Sequence, residues 1–235
     1  MATQALVTVG GKGSRLRSAG LNFPCTKSFI NVLGEPLIFW NLKIFKRIGL
    51  RRIVFCADSE EALNSVKLLT CRAGNEDIDF LFYLDEGLGT SGLPFHFRNQ
   101  FDGPFFFITG HSFVTVQHFN AMRSASGPGM VTVSTYREQN TKKNIRTDGI
   151  GRLVPPSANL PMSCRMIDYP YLLDKIYCER IARNGFNVLP TLEQFFFEKA
   201  IRFVHSEMPV EIDEPEQFQI NMKAIEDMIL EASLA

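Results

Sequence analysis

The sequence predicts an α/β fold in which helices cover a mainly parallel sheet. Segments typical of strands alternate with segments typical of helices through the first half of the chain, which is the pattern of βαβ units. The run Phe105–Thr109 is almost continuously apolar, which indicates a strand buried on both faces of the sheet. Right-handed crossovers between parallel strands bring the loops that follow them to one edge, where open α/β sheets bind ligands. We therefore expect the loops at 10–17, 85–92 and 110–113 to converge.

The predicted elements of the first half follow from periodicity and from helix stops. A strand is predicted at 5–9, and a helix at 38–48, where apolar residues recur on one face and Gly49 ends the pattern. Asp58, with Glu61 three residues later, is predicted to cap a helix that ends near residue 69. Further strands are predicted at 52–57, 78–84, 105–109 and 131–136.

The second half begins with a loosened pattern. Polar residues and prolines between 138 and 161 indicate either an excursion over a substrate mouth or a solvated hairpin. Pro215 suits the first turn of a C-terminal helix, whose apolar stripe would dock on the body or on a second copy in a homodimer. The remaining predictions are helices at 174–184, 192–199 and 215–232 and a strand at 201–205.

Length, charge and cysteine usage bound the class of protein. A chain of 235 residues is within reach of a single α/β domain, so we expect one domain over residues 1–235. The 25 Lys and Arg residues balance the 25 Asp and Glu residues, which excludes a net field for nucleic acid or for an anionic membrane. The five cysteines form no C-x-x-C pair, which favours a reducing compartment. With no basic leader and no apolar stretch of ~20 residues, we expect a cytoplasmic protein.

The most distinctive motif is a glycine loop directly after the first predicted strand. The sequence GGKGSRL at 10–16 follows the apolar run that ends at Val9 and lies shortly before Lys27. Glycines expose backbone N–H groups, and a nearby arginine and lysine can meet anionic oxygens, so the loop indicates phosphate binding. A dinucleotide fingerprint is excluded because Leu16 occupies its third glycine position, and a P-loop is excluded because Gly13 follows Lys12.

Four motifs in the same order resemble the nucleotidyltransferase family that activates sugar 1-phosphates. GGKGSRL at 10–16 is similar to the family's G-G-x-G-T-R-L, and KSFINVLGEPLI at 27–38 to its K-x-L-x-P-V-x-G-x-P-L-I. LGTSG at 88–92 is similar to L-G-T-A-G, and EIDEPE at 211–216 to D-I-D-T-P-E-D. The resemblance implies a single Rossmann-like three-layer domain of the nucleotide-diphospho-sugar transferase type. It also implies an enzyme of NDP-sugar biosynthesis that joins a nucleoside triphosphate to a sugar 1-phosphate or sugar-like phosphate and releases pyrophosphate.

The resemblance implies roles for individual residues. Arg15 would bind the departing β- and γ-phosphates, and Lys27 would neutralise charge at the reacting phosphates. The alternative for both is a pair of solvated surface charges. The implied nucleotide-binding residues are Val9, Gly10, Gly11, Gly13, Ser14, Gly89 and Thr90. For Gly89 and Thr90, a plain turn without a ligand is the other explanation.

Two residues beside Lys27 affect its expected behaviour. Thr26 stands where the family has a proline, which loosens the φ restriction and softens the aim of the lysine. Cys25 lies two residues before Lys27, where a cation would lower the pKa of the thiol. Ordinary packing is the alternative for this cysteine.

His111 departs from the family at the implied metal site. There the family has Gly-Asp, and this aspartate and a second one near the C-terminus hold Mg²⁺. Here the dipeptide is Gly110-His111, while the second aspartate matches Asp213. An imidazole removes one negative charge, so Mg²⁺ should bind more weakly.

Three explanations of His111 stay open. With Asp213 and triphosphate oxygens it would ligate a softer ion such as Mn²⁺. When protonated, it would contact phosphate directly. Alternatively, the chain has lost transfer activity and binds nucleotide or sugar phosphate as a regulatory or partner protein.

Overall fold

A mainly parallel sheet forms the middle layer of the computed structural model, which describes residues 2–137, 144–147, 163–206, 212, 215 and 218–234. The strands are β1 (Gln4–Val9), β2 (Asn31–Val32), β3 (Glu35–Pro36), β4 (Arg52–Ala57), β5 (Asp79–Leu84), β6 (Phe105–Thr109), β7 (Val131–Arg137), β8 (Asn144–Thr147), β9 (Ser163–Leu173) and β10 (Ile201–Ser206). The order across the sheet is β10-β7-β9-β6-β1-β4-β5, β8 pairs with β9, and β2 and β3 form a separate hairpin. Within the described sheet, only β9 runs against its neighbours, which are β6, β7 and β8. The predicted α/β class with a mainly parallel sheet is confirmed.

Helices cover both faces of the sheet because apolar residues occupy both faces of its central strands. Along β1, Ala5, Val7 and Val9 pack into one core and Leu6 into the other, all fully buried. The helices are α1 (Ser14–Ser18), α2 (Leu37–Arg47), α3 (Glu60–Arg72), α4 (Gly89–Phe97), α5 (Val116–Ala125), α6 (Lys175–Arg183), α7 (Val188–Phe197) and α8 (Phe218–Leu234). Residues of α2, α3, α5 and α8 belong to the first core, and residues of α4, α6 and α7 to the second. The result is the predicted three-layer arrangement.

Most predicted strands agree with the structure to within one residue, and β4 and β6 agree at both ends. The predicted helix cap at Asp58 is wrong, because Ser59 caps α3 by accepting a hydrogen bond from the backbone N–H of Ala62. The helix predicted at 192–199 begins earlier, at Val188, and α8 begins at Phe218 rather than in the turn that holds Pro215. The loosely patterned segment at 138–161 lies outside the described residues, apart from β8.

The apolar stripe of the C-terminal helix docks on the body of the protein. Ile225 and Ile229 of α8 are buried in the first core, and Met228 packs against it. The sequence left open whether this stripe docks on the body or on a second copy. Among the described residues, it docks on the chain's own core. Among the described helices, none combines the length and the apolar character that a membrane span requires.

Candidate functional site

The loops that follow β1, β4, β5 and β6 begin side by side at one edge of the sheet. Val9 pairs with Ala57, and Ala57 pairs with Leu84, so the three strands end in the same row. On the other side of β1, Thr8 pairs with Thr109, and the backbone N–H of Gly110 donates a 2.7 Å hydrogen bond to the Thr8 carbonyl. The first residues of these loops are therefore neighbours, as the topology of parallel strands requires.

The glycine loop closes over the side chain of Lys27. Gly11 and Gly13 have φ values of +90° and +58°, a region that favours glycine. A Cβ on Gly13 would lie 2.5 Å from Cζ of Phe23 and 2.8 Å from Cγ of Lys27, so only glycine fits there. A Cβ on Gly11 would lie 3.6 Å from Cε of Lys27. The lysine stem therefore lies directly against the loop.

The structure separates the two cations that the sequence grouped together. Lys27 is only 8 % exposed, so its interpretation as a solvated surface charge is wrong. Arg15 is exposed in the first turn of α1, one residue after Ser14, which is also exposed. The Lys27 side chain is thus buried against the glycine loop, whereas Arg15, just after the loop, is exposed.

Thr26 stabilises the turn that presents Lys27. Residues Lys27–Phe29 form a single 3-10 turn, and the hydroxyl of Thr26 accepts a 3.3 Å hydrogen bond from the backbone N–H of Ser28. The φ of Thr26 is −129°, which proline cannot adopt, and its side chain is buried. At the position of the family's proline, Thr26 therefore caps the 3-10 turn and does not loosen the backbone.

Arg17 fastens the glycine loop to the segment that leads into Lys27. Its Nε donates a 2.9 Å hydrogen bond to the Lys12 carbonyl, and one terminal nitrogen donates to the carbonyls of Phe23 at 2.9 Å and Cys25 at 3.2 Å. The guanidinium also lies 4.2 Å from the centre of the Phe23 ring. The role of Arg17 was not predicted from the sequence, because an arginine one place after the motif's Arg-Leu has no distinguishing pattern.

The Gly110–Ser112 turn is held by a buried amide of α2. Asn41 Nδ2 donates to the carbonyls of Ser112 at 2.9 Å and Gly110 at 3.3 Å. His111 is buried in this turn, 9 % exposed. A Cβ on Gly110 would come within 2.7 Å of Ser28 Oγ, so this turn packs closely against the turn of Lys27. His111 and Lys27 therefore belong to neighbouring segments of one site.

Two carboxylates follow β4 and β5 at the same edge. Asp58 Oδ2 accepts a 2.8 Å hydrogen bond from the backbone N–H of Gly11. Asp85 Oδ1 accepts hydrogen bonds from the backbone N–H groups of Gly87 and Leu88 at 3.0 and 2.9 Å, which shapes the loop before α4. Burial, and then the negative charges of Asp85 and Asp58, raise the pKa of the Cys56 thiol to about 12.

Gly89 and Thr90 lie in the first turn of α4. Leu88 precedes the helix without a side-chain cap, so the first backbone N–H groups of α4 have no side-chain acceptor at the N-cap. Backbone donors at such a helix start suit the polar atoms of a ligand. The geometry is consistent with the expected contact to a base or a sugar, and that role stays a prediction.

The surroundings of Cys25 disfavour the thiolate that a reactive cysteine needs. Burial and a hydrogen bond to Glu61 raise the pKa of its thiol, although Arg17 acts in the opposite direction. The thiol lies 3.8 Å from the Ser65 hydroxyl. The lowering by a cation is outweighed by burial and Glu61, which favours ordinary packing for this cysteine.

The described residues alone do not assemble a metal site. Within them, no group of three or more His, Cys, Asp or Glu side chains is arranged to hold an ion. His111 lies at the edge of the sheet where the glycine loop begins. Asp213, the other expected ligand, lies outside the described residues. The pair His111 and Asp213 accordingly stays a prediction.

Comparison with solved structures identifies the fold. A protein from Bacillus anthracis assigned as a glucose-1-phosphate thymidylyltransferase, solved with sucrose, matches with a TM-score of 0.75 and 13 % identity over 96 % of each chain. The inositol-1-phosphate CTP transferase from T. maritima matches with a TM-score of 0.71 and 16 % identity over 97 % of this chain and 96 % of that one. The chain has the sugar-phosphate nucleotidyltransferase fold. HddC from Yersinia pseudotuberculosis shares it, with a TM-score of 0.69 and 15 % identity over 95 % of this chain and 99 % of that chain.

The nucleotidyltransferase fold confirms, at the level of architecture, the resemblance that the four motifs predict. No protein-family model and no curated sequence matches the chain. The likeness that the comparisons show therefore lies in the path of the backbone.

Proposed function

We propose that the chain is a nucleotidyltransferase that joins a nucleoside triphosphate to a sugar 1-phosphate or sugar-like phosphate. The products are an NDP-sugar and pyrophosphate. The observation that carries the proposal is the buried stem of Lys27 beneath a glycine loop in which a residue larger than Gly13 would clash with Phe23 and Lys27. Two of the solved structures described above have names that specify nucleotidyl transfer to a sugar or inositol phosphate, and this likeness adds support.

The chemistry requires an in-line displacement at phosphorus. A phosphate oxygen of the sugar phosphate attacks the α-phosphorus of the triphosphate, and the bond from this phosphorus to the bridging oxygen of the β-phosphate breaks. The electron pair leaves with pyrophosphate. Such a transfer depends on positioning and on neutralising charge, with no covalent role for the protein.

Each part of the site has a task in this scheme. Backbone N–H groups of Gly11 and Gly13 approach the phosphates closely, and Arg15 offers a fork of donors to the departing pyrophosphate. Lys27 places its ammonium against the reacting phosphates, where burial reduces screening by water. Gly89 and Thr90, at the start of α4, would meet the base or the sugar.

A divalent cation, Mg²⁺ or Mn²⁺, belongs to the proposal as a cofactor held by His111 and Asp213 together with phosphate oxygens. Such an ion would supply positive charge to the triphosphate. One imidazole and one carboxylate suit Mn²⁺ better than Mg²⁺ because imidazole is a good ligand for transition metals.

An assay of pyrophosphate release tests the proposal. The chain is incubated with ATP, CTP, GTP or UTP, with Mg²⁺ or Mn²⁺, and with a panel of sugar 1-phosphates, and the Lys27→Met variant serves as the control. We expect release with at least one pair of substrates and a large loss in the variant. Binding of a triphosphate without release would favour the silent regulatory protein instead. Absence of both binding and release would overturn the proposal.

A further inference from the structure

We propose that Arg17 is a positioning residue that sets the distance between the glycine loop and Lys27, so that both contact the same triphosphate. This inference rests on the proposed function, because it concerns the same site. Arg17 does not itself touch the ligand in this scheme. It acts through the two segments that its guanidinium joins.

Arg17 makes hydrogen bonds both to the glycine loop and to the segment that leads into Lys27. Its bond to the Lys12 carbonyl lies inside the glycine loop, between Gly11 and Gly13. Its bonds to Phe23 and Cys25 hold the segment that runs directly into Lys27. One planar side chain therefore ties the two phosphate-binding segments together across ten or more residues of sequence.

Phe23 completes the connection. The Arg17 guanidinium stacks on its ring at 4.2 Å, and the same ring lies under Gly13, where a Cβ would approach it to 2.5 Å. Displacement of Phe23 would therefore shift both the floor of the loop and the approach to Lys27. Close packing transmits such a shift because interiors leave little free space.

Lysine is not an adequate substitute at this position. The guanidinium presents donors in a fixed planar fork, and here it makes three hydrogen bonds in two directions while it stacks on a ring. A lysine ammonium is a compact group on a flexible stem and cannot reproduce this geometry. Arg17→Lys should therefore resemble Arg17→Ala more than the native chain.

The chain offers a matched control in Arg123. Its Nε and Nη1 donate to the carbonyls of Ala2 at 2.9 Å and Ile48 at 2.7 Å, and its guanidinium lies 5.5 Å from the Phe106 ring. These carbonyls precede β1 and β4, so this clamp is at the opposite edge of the sheet from the glycine loop. Arg123→Ala should lower stability without an effect on triphosphate binding.

The experiment measures the Kd of the triphosphate that the native chain binds most tightly, by calorimetry, in the native chain, Arg17→Ala, Arg17→Lys and Arg123→Ala. We expect both Arg17 variants to raise Kd roughly tenfold and to lower kcat by roughly 10- to 100-fold, since small misplacements of reacting groups have effects of this size. Thermal unfolding of every variant measures the loss of stability. Arg180→Ala, whose guanidinium pairs with Glu198 away from the loop, replaces Arg123→Ala if that variant does not fold.

A double-variant test separates positioning from general destabilisation. If Arg17 aims Lys27, then Lys27→Met should raise Kd strongly in the native background and only slightly in the Arg17→Ala background. Amide hydrogen exchange without ligand should also quicken at 12–27 in Arg17→Ala and not in α2. Multiplicative effects of the two substitutions, or a Kd as close to native as that of Arg123→Ala, would overturn the inference. Failure of the native chain to bind any triphosphate would instead overturn the proposed function.

Discussion

Asp58 Oδ2 accepts a 2.8 Å hydrogen bond from the backbone N–H of Gly11, in the loop that is proposed to bind phosphate. An acceptor oxygen at this distance takes the place that a phosphate oxygen would have on the same donor. The carboxylate also adds a negative charge beside an incoming polyanion. Asp58 should therefore weaken triphosphate binding when no cation is present.

Asp58→Asn should tighten binding of metal-free triphosphate. Asparagine keeps an acceptor for the Gly11 N–H but removes the charge, and a like-charge contact near 4 Å in water costs about 1 kcal/mol, or about fivefold in Kd. Calorimetric titration in the presence of a chelator measures the change. Asp102→Asn, at an exposed position near the other edge, is the control. Weaker binding by Asp58→Asn would show that the carboxylate assists the ligand.

Gly13→Ala should weaken triphosphate binding, because the new methyl group would overlap with Phe23 and Lys27. Gly20→Ala is a matched control, since Gly20 also has a positive φ, +86°, but its Cβ would meet no atom of the described residues within 4 Å. The control should lose about 1 kcal/mol of stability from backbone strain alone. We expect a Kd increase above roughly tenfold only for Gly13→Ala. Equal Kd values for the two variants would contradict the close packing of loop and lysine.

Asn41→Ala should destabilise the turn that carries His111, because the carbonyls of Gly110 and Ser112 would lose their buried donor. The expected loss is about 1–3 kcal/mol in the free energy of unfolding, measured with urea. Asn75→Ala is the comparison, since Asn75 is buried but its side-chain nitrogen and oxygen have no hydrogen-bond partner among the described residues. A larger loss for Asn75→Ala than for Asn41→Ala would refute this account.

His111→Asp should shift metal preference from Mn²⁺ towards Mg²⁺, because a carboxylate restores the hard oxygen ligand and the negative charge. The readout is the ratio of pyrophosphate release with the two ions. His96→Asp, on α4, serves as the control for an added charge. An unchanged ratio would leave His111 as a phosphate contact rather than a ligand. Turnover by the variant alone would favour the silent interpretation of the native chain.

The free energy of unfolding should fall between pH 9 and 12. Burial raises the pKa of both Cys56 and Cys178 from 9.0 to about 12, so the folded state holds these protons at a pH where the unfolded chain releases them. The stabilisation is complete below pH 9.0 and is lost as pH rises through the folded pKa. Urea unfolding at pH 8 and pH 11 should show a smaller difference for Cys56→Ala than for Cys71→Ala, at an exposed thiol. Equal pH dependence in these variants would disprove the assignment.

Local patterns were sufficient to predict most of the sheet. Apolar runs between glycines and charged residues mark β1, β4 and β6, because a buried parallel strand excludes polar residues from both of its faces. The antiparallel β9 was not predicted: Asp168 and Pro170 interrupt its sequence, and its pairing with β6 and β7 depends on contacts distant along the chain. Helix α4 was missed for a local reason, since glycines and Pro94 lie within it.

The candidate site was likewise predicted only in part from local patterns. The glycine motif predicts where Gly13 and Lys27 lie because their spacing carries the signal. Asp58 was assigned to a helix cap, which the neighbouring Ser59 provides, and its bond to Gly11 joins residues 47 positions apart. Arg17 donates hydrogen bonds to three backbone carbonyls. Because every residue has such a carbonyl, the types of the accepting residues do not reveal these contacts.

The reversed direction of β9 determines at which side of the sheet β7 and β10 end. Because β9 opposes both β6 and β7, the strands β7 and β10 point the same way as β1. The backbone thus departs from Arg137 and from Ser206 at the rim where the glycine loop lies. Arg137 and Ser206 thus end their strands on the side of the sheet where phosphate binding is proposed, although both lie far from the glycine loop in sequence.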